Sequence, residues 1–372
     1  MFSDKEKLRY SRQTILSEFG MEGQQLLKQS SVLVVGAGGL GGPVLSYLAG
    51  AGVGKIGIVD FDKVELSNLH RQVHFTEIQI GKNKALATKE NLDLLNPDIE
   101  IVAYPIAIKS KNAEGIIADY DLVIDGSDNF PTRYLLNDAC YLLAKPLIYG
   151  AIHQWEGQVS VFNHVNADGD LGPNYRDLFP NPPPVDQIPN CEEGGVLGVL
   201  PGIIGSLQAV EAIKVLLSKP CLSGKLLIYD AMATSFITLN IKTNDSNPLS
   251  GDDPTIKELL DYELYCGTSI ADDILSIDVK NLRAFLEEKN CQLIDVREEI
   301  EYKADHIATL NIPLSNLLNR LHEINKNGPT LFFCQSGKRS IQAIEILKKA
   351  GYENLYNLKG GMNAIRANNI LL

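Results

Sequence analysis

Ser31-Val-Leu-Val-Val35, then Gly36-Ala-Gly-Gly-Leu-Gly41, a helix-compatible stretch over 43–51 and Ile56-Gly-Ile-Val-Asp60 decide the fold of the first part of the chain. The first run is short, apolar and β-branched, as a strand buried on both faces should be, and the glycines end it. A helix and a second such run then complete a β-α-β unit with parallel strands. Glycines directly after a strand and at the start of a helix let backbone N–H groups approach phosphate oxygens. An acidic residue, Asp60, ends the second strand. On these two features alone the ordinary expectation is a nicotinamide-dependent oxidoreductase.

Further apolar runs at 99–102, 122–125 and 146–148 alternate with helical patterns at 83–95 and 132–144. The expected architecture is therefore α/β, a Rossmann-like doubly wound sheet, mostly parallel, with helices on both faces. The stretch 196–217 is the most apolar of the chain, but Pro201, Gln208, Glu211 and Lys214 fall within it, so it reads as a core helix and not a membrane span. Residues 166–190 turn to Pro, Asn, Asp and Gly and read as a long mobile loop, and 243–254 reads as a linker. From about 274 the alternation restarts, with Gln292-Leu-Ile-Asp-Val296 and Thr330-Leu-Phe-Phe333 as strands and 340–350 as a helix. Two domains are expected, 1–267 and a smaller α/β domain at 274–372.

A length of 372 residues suits two or three domains. Acidic residues exceed basic ones, 46 to 34, so the net charge of −12 argues against nucleic acid or an anionic membrane as the main partner. The six cysteines show no Cys-x-x-Cys spacing, and the first ten residues carry five charges without an apolar block. No secretory leader and a reducing, cytoplasmic setting are the expectations.

After Asp60 the chain continues Phe61-Asp62, then Ser67-Asn68-Leu69-His70-Arg71-Gln72, Lys82 and Lys84, with Asp125-Gly-Ser-Asp128-Asn129 beyond. Hydride transfer has no need for these cations and extra carboxylates around the phosphates. In-line attack on an α-phosphate does, because the developing charge must be offset by Arg or Lys and a carboxylate-held Mg²⁺.

Arg9-Tyr-Ser-Arg12-Gln13, the Gly36 to Gly41 loop, Asp60-Phe-Asp62, Ser67 to Gln72, Lys84, Ser127-Asp-Asn129 and Cys191-Glu-Glu-Gly-Gly-Val-Leu-Gly198 together resemble the E1-like (MoeB/ThiF-type) activating enzymes that serve molybdopterin and thiamine sulfur carriers. The resemblance spans roughly residues 5–267. It implies ATP as cofactor, with the glycines 36, 38, 39 and 41 around it. Gly39 and Asp60 hold ribose and adenine, Ser67, Asn68, Leu69, His70, Arg71 and Lys84 lie around the phosphates, and Asp62 and Gln72 are further cofactor-binding residues. It also implies that Asp128 is the Mg²⁺-associated aspartate with Asn129 beside it, that Arg12 reaches into a neighbouring subunit of a homodimer, and that Cys191 accepts the acyl group. Family members usually carry two Cys-x-x-Cys pairs for a structural zinc. At the matching positions this chain has Asn174, Asp177, Asn247 and Ser250, so no zinc is expected.

Cys334-Gln-Ser-Gly337-Lys-Arg339-Ser340 follows a buried strand and precedes a helix, a loop that can aim N–H groups at the sulfur while Arg339 and the helix end stabilise an anion. With Leu293-Ile-Asp-Val-Arg297, Asp305-His306-Ile307 and Leu358-Lys-Gly-Gly-Met362 it resembles a rhodanese sulfurtransferase domain, which implies a persulfide on Cys334. The functional expectation is adenylation of the C-terminal glycine of a ubiquitin-like sulfur carrier protein, followed by sulfur transfer from a persulfide donor to give a thiocarboxylate. An NAD-dependent oxidoreductase and a non-catalytic carrier-binding module are the alternatives.

Overall fold

The computed structural model describes residues 2–166, 169–183, 195–266, 274–289, 291–308, 310–326 and 328–368. The chain divides into two compact units, Met1–Thr268 and Ser269–Leu372.

The first unit is built on an eight-stranded sheet: β1 (Ser31–Val35), β2 (Lys55–Val59), β3 (Glu100–Tyr104), β4 (Leu122–Asp125), β5 (Leu147–His153), β6 (Glu156–Phe162), β7 (Lys225–Asp230) and β8 (Ser235–Asn240), in the order 3-2-1-4-5-6-7-8. Alternation along β1 explains why it is apolar from Val32 to Val35. Val32 and Val34 pack with Leu45, Leu48, Ile56 and Ala209 on one face, Leu33 and Val35 with Val123, Leu136 and Tyr149 on the other. Strands 1 to 5 are parallel, as the sequence pattern implies. Strands 6 to 8 each run antiparallel to the strand before, so the sheet is mostly parallel, as expected. The β5–β6 hairpin turns at Gln154 and Trp155, with Gln154 at φ 50°, so the turn lacks the Asn-Gly or Asp-Gly pair that marks such hairpins.

The apolar stretch forms the helix Leu200–Leu216, with Gln208 and Glu211 buried on it. Gln208 Nε2 donates to the carbonyl of Asp125 (2.7 Å), and Glu211 accepts from Leu222 N–H (2.7 Å) and Lys214 (2.6 Å). Among the described residues no helix is long and apolar enough to cross a membrane.

Two segments differ from their expected character. Within 166–190, Asn174 caps a buried helical turn, Tyr175–Leu178, and Arg176 is fully buried in a bidentate pair with Asp138 (2.7 Å for each bond). Residues 184–190 lie outside the described residues. The expected linker at 243–254 is a packed part of the first unit, with Asn247 1% and Leu249 2% exposed. The two segments are joined by the four side chains that stand where the resemblance implied thiols. Asn174 Nδ2 donates to Ser250 Oγ (2.7 Å), and Asn247 Nδ2 donates to Asn174 Oδ1 (3.2 Å) and Asp177 Oδ1 (2.8 Å). Backbone N–H groups of Asn174, Arg176, Asn244 and Leu249 take up the remaining acceptors. Composition alone suggested loops because these residues are polar; they are buried because they satisfy one another.

The second unit holds five parallel strands, β9 (Leu275–Ile277), β10 (Gln292–Asp295), β11 (Leu310–Asn311), β12 (Thr330–Phe333) and β13 (Leu355–Leu358), in the order 11-10-12-13-9. The helix Lys338–Lys349 follows the central β12 directly, which places Cys334 at the carboxyl end of a strand and before a helix N-terminus.

Candidate functional site

β1 pairs with both β2 and β4, and Val35 stands level with Val59 and Asp125. The chain leaves β1 in one direction and β4 in the other, so a crevice opens between them at the carboxyl ends of the strands. The glycines there have different duties. Gly36, at φ 96°, lies so near Gly126 that an added Cβ would stand 2.5 Å from its carbonyl oxygen, and a Cβ on Gly41 would stand 1.8 Å from the oxygen of Gly36. These two close the turn. A Cβ on Gly38 would meet only the Gln72 amide, at 3.4 Å, so Gly38 borders the open cradle. Gly39 packs against Pro201 and lies near the Arg71 carbonyl.

Asp60 braces this loop: its carboxylate accepts from Ala37 N–H and Asp62 N–H, both at 2.8 Å. Burial pushes its carboxyl above the ordinary range, against the pull of Lys84 and these N–H groups. Lys84, 7% exposed, is held by Asp62 (3.2 Å). The turn at Leu66–Asn68 carries the chain into His70, Arg71 and Gln72. Arg71 donates to the Ser67 carbonyl (3.1 Å), and among the described residues it pairs with no carboxylate. Gln72 is 4% exposed, and its Oε1 has no partner among the described residues. Ser67, Asn68, Leu69 and His70 line the same turn, and a Cβ on Gly198 would stand 2.6 Å from the His70 carbonyl. The segment after residue 194 therefore runs over the cradle.

On the β4 side, Asp128 and Asn129 are exposed, and Asn129 caps the helix Phe130–Leu142 by accepting from Thr132 N–H (2.9 Å). Asp125 sets this loop. It is fully buried, accepts from the Ser127 N–H and hydroxyl (2.9 and 2.5 Å), and faces Arg133 Nε at 3.3 Å, whose guanidinium also lies over the Tyr149 ring. Arg12 is not gathered here. Its helix, Asp4–Thr14, is anchored through Tyr10 and Gln13 to Asn96 and Ala51, just before β3 and β2 and at the far end of the sheet from Gly36. Cys191 lies outside the described residues.

Sequence reasoning missed four supports: Gln208, Arg133, Asp125 as a brace, and His74. The ring of His74 sits against Gly42, and Nε2 meets the Ala37 carbonyl at 3.1 Å. A carbonyl only accepts, so Nε2 carries the proton, and the bare Nδ1 is buried with no partner among the described residues. Burial lowers this imidazole to about 4 from 6.5. The unfolded chain thus binds the extra proton first: stability is complete above pH 6.5 and is lost as pH falls toward 4. Between pH 7.5 and 4.5, urea unfolding of the first unit should show wild type losing roughly 2 kcal/mol more than His74→Phe. Equal losses would remove His74 as the source.

In the second unit, Cys334 is 1% exposed, and its sulfur accepts from Gly337 N–H at 3.1 Å, a contact made by the left-handed backbone of Gly337 (φ 94°). Ser340 Oγ stands 3.7 Å from the same sulfur. Arg339, expected to face the sulfur, holds Glu301 in a bidentate pair (2.6 and 2.8 Å). That pair lowers the Glu301 carboxyl against the opposing effect of burial. Arg297 and Asp295 form a buried pair (2.7 Å), and Arg297 also donates to the Asp305 carbonyl and faces Gln335.

Residues 10–250 match the model of the ThiF family. The chain belongs to that family. Residues 278–368 match the rhodanese-like domain, so the second unit is a rhodanese domain. The chain is 56% identical over 266 residues to the sulfur carrier protein adenylyltransferase of Thermus thermophilus, covering 71% of this chain and 98% of that one. It is 42% identical over 373 residues to the probable adenylyltransferase/sulfurtransferase MoeZ of Mycobacterium tuberculosis, covering 97% and 93%. The adenylyltransferase and sulfurtransferase MOCS3 of Aedes aegypti is also 42% identical, with 97% and 87% covered. Among solved structures, E. coli MccB with MccA-N7isoASN superposes with a TM-score of 0.59 at 21% identity, over 68% of this chain and 76% of that one. This likeness supports the fold of the first unit.

Proposed function

We propose that this ThiF-family chain adenylates the C-terminal glycine of a ubiquitin-like sulfur carrier protein with ATP and then converts the adenylate to a thiocarboxylate using persulfide sulfur on Cys334. The observation that carries the reading is Arg71, with no carboxylate partner among the described residues, on one side of the glycine cradle and the exposed Asp128 on the other. Such a pair suits charge developing on an α-phosphate and has no use in hydride transfer. The relatives that match nearly the whole chain carry both activities in their names.

In this reading the carrier carboxylate attacks the α-phosphorus and pyrophosphate leaves. Gly38 and its neighbours admit the phosphates, Arg71 and Lys84 offset their charge, and the Gln72 amide nitrogen borders the cradle at Gly38. Asp128 would hold Mg²⁺, whose charge would screen the phosphate oxygens. The persulfide then attacks the acyl carbon and AMP leaves, giving an acyl disulfide whose S–S bond a thiol must cleave to release the thiocarboxylate. Cys191 is read as the group that takes the acyl or releases the product by disulfide exchange. Arg12, remote from its own cradle, is read as completing the site of a second copy in a homodimer. The five described cysteines are all free, which suits a reducing, cytoplasmic setting. Carrier-dependent ATP–pyrophosphate exchange, run beside NAD binding, tests the reading: NAD binding without exchange would overturn it.

We also infer that the enzyme needs no zinc. Support comes from Asn174, Asp177, Asn247 and Ser250, whose oxygens are already occupied by mutual and backbone hydrogen bonds. None of the four offers a thiolate. Elemental analysis of the purified chain should find no stoichiometric zinc, and a chelator should leave the melting temperature unchanged, because a structural zinc contributes folding free energy directly. One zinc per chain would refute the inference.

A further inference from the structure

The Ser340 hydroxyl has one proton and three acceptors in reach: Asn357 Oδ1 at 2.7 Å, the Gly337 carbonyl at 3.0 Å and Cys334 Sγ at 3.7 Å. All of these side chains are buried, Ser340 at 0%, Cys334 at 1% and Asn357 at 3% exposure, so water does not arbitrate between them. Asn357 Nδ2 donates to Ser276 Oγ at 3.3 Å, with the amide oxygen toward Ser340. The fixed donor on the sulfur is Gly337 N–H, and among the described residues Ser340 is the one side chain that can add a second.

We propose that Ser340 and Asn357 form a hydroxyl switch on Cys334, Asn357 drawing the proton away from an uncharged sulfur and releasing it to a charged one. At rest the hydroxyl points to Asn357, and its oxygen is free to accept from the Cys334 thiol. When the sulfur is a thiolate or a persulfide anion, rotation about the Ser340 Cβ–Oγ bond turns the same proton to the sulfur. A donor is gained where charge is buried, and the weaker neutral bond to Asn357 is given up. No covalent bond changes in this step; the thiol proton leaves to solvent base beforehand. Ser340 thus touches the reacting atom, and Asn357 is a positioning residue that acts through it. The sequence motif ending at Ser340 does not reveal this, because Asn357 lies on β13 and meets the loop only in the folded sheet.

The inference rests on Cys334 as the reactive sulfur but is tested without sulfur transfer. In the full-length chain, alkylation of Cys334 by iodoacetamide at pH 7 is followed peptide by peptide by mass spectrometry. Ser340→Ala should slow it about tenfold, the scale of one hydrogen bond to a charged group. Ser340→Thr, which keeps the hydroxyl, should restore most of the rate. Asn357→Leu should accelerate alkylation several-fold, because only the Gly337 carbonyl then competes with the sulfur for the hydroxyl proton. Ser276→Ala, at an exposed position, should accelerate it less and keeps the test open if Asn357→Leu does not fold. A purely structural role would slow all variants together. Unchanged rates in Ser340→Ala, or slowing in Ser276→Ala and Asn357→Leu, would overturn the switch. Failure of the wild type to take up sulfane sulfur while the alkylation pattern holds would instead refute the persulfide role and leave the switch standing.

Discussion

Cys334→Ser should abolish thiocarboxylate formation from every donor that must pass through the second unit, a loss on the order of 10⁴-fold or more, as when a nucleophile is removed. A serine hydroxyl is neutral at pH 7 and cannot carry sulfane sulfur, and the Gly337 N–H that meets the sulfur would meet an uncharged oxygen instead. In the proposed reading adenylation uses only the glycine cradle of the first unit, so carrier-adenylate and pyrophosphate should form at the wild-type rate. Free sulfide attacks the adenylate directly and should partly rescue the variant. Intact-mass spectrometry of the carrier distinguishes the outcomes, since replacing the carboxyl oxygen by sulfur adds a fixed mass. Wild-type thiocarboxylate formation in Cys334→Ser with a persulfide donor would exclude the proposed route.

Asp128→Ala and Arg71→Ala should each lower carrier-dependent pyrophosphate exchange by about 10² to 10³, the usual cost of one preorganised charge at a transition state. Neither residue is a structural brace. Asp128 is exposed, while its neighbour Asp125 holds the loop, and the bond recorded for the Arg71 side chain is to the Ser67 carbonyl. Sulfur transfer from thiosulfate to cyanide should be untouched in both, because Cys334 belongs to a separate compact unit. Loss of both activities in a variant with unaltered melting would show that the two sites are not separable.

The sheet frame was legible because the central residues of β1, β2 and β4 are buried on both faces and are apolar in unbroken runs. Local pattern also sufficed for the glycine turn and the Cys334 loop, where neighbouring residues in sequence are neighbours in space. It did not suffice where polarity was internal. Asn174 and Asn247 look like loop residues until their mutual hydrogen bonds are seen. Gln208 and Arg133 reach Asp125 from two different helices. His74 follows the motif by two positions, but its role depends on Gly42 leaving room for the ring. Arg339 was assigned to the sulfur by proximity in sequence, yet it meets Glu301, 38 residues away.

The clip formed by Asn174, Asp177, Asn247 and Ser250 bears on chemoselectivity. Sulfane sulfur passes between sulfurs by exchange, so any accessible thiolate is a competing acceptor that diverts the cargo. A zinc cluster would place four thiolates in the same polypeptide as the persulfide, open to oxidation and to sulfur insertion; amide, carboxylate and hydroxyl groups are inert to both. The other described thiols are quieted by burial, which pushes Cys266 and Cys291 up to about 11, raises Cys221, and raises Cys140 further still. A protein that carries reactive sulfur has thereby removed most of the places within itself where that sulfur would be lost.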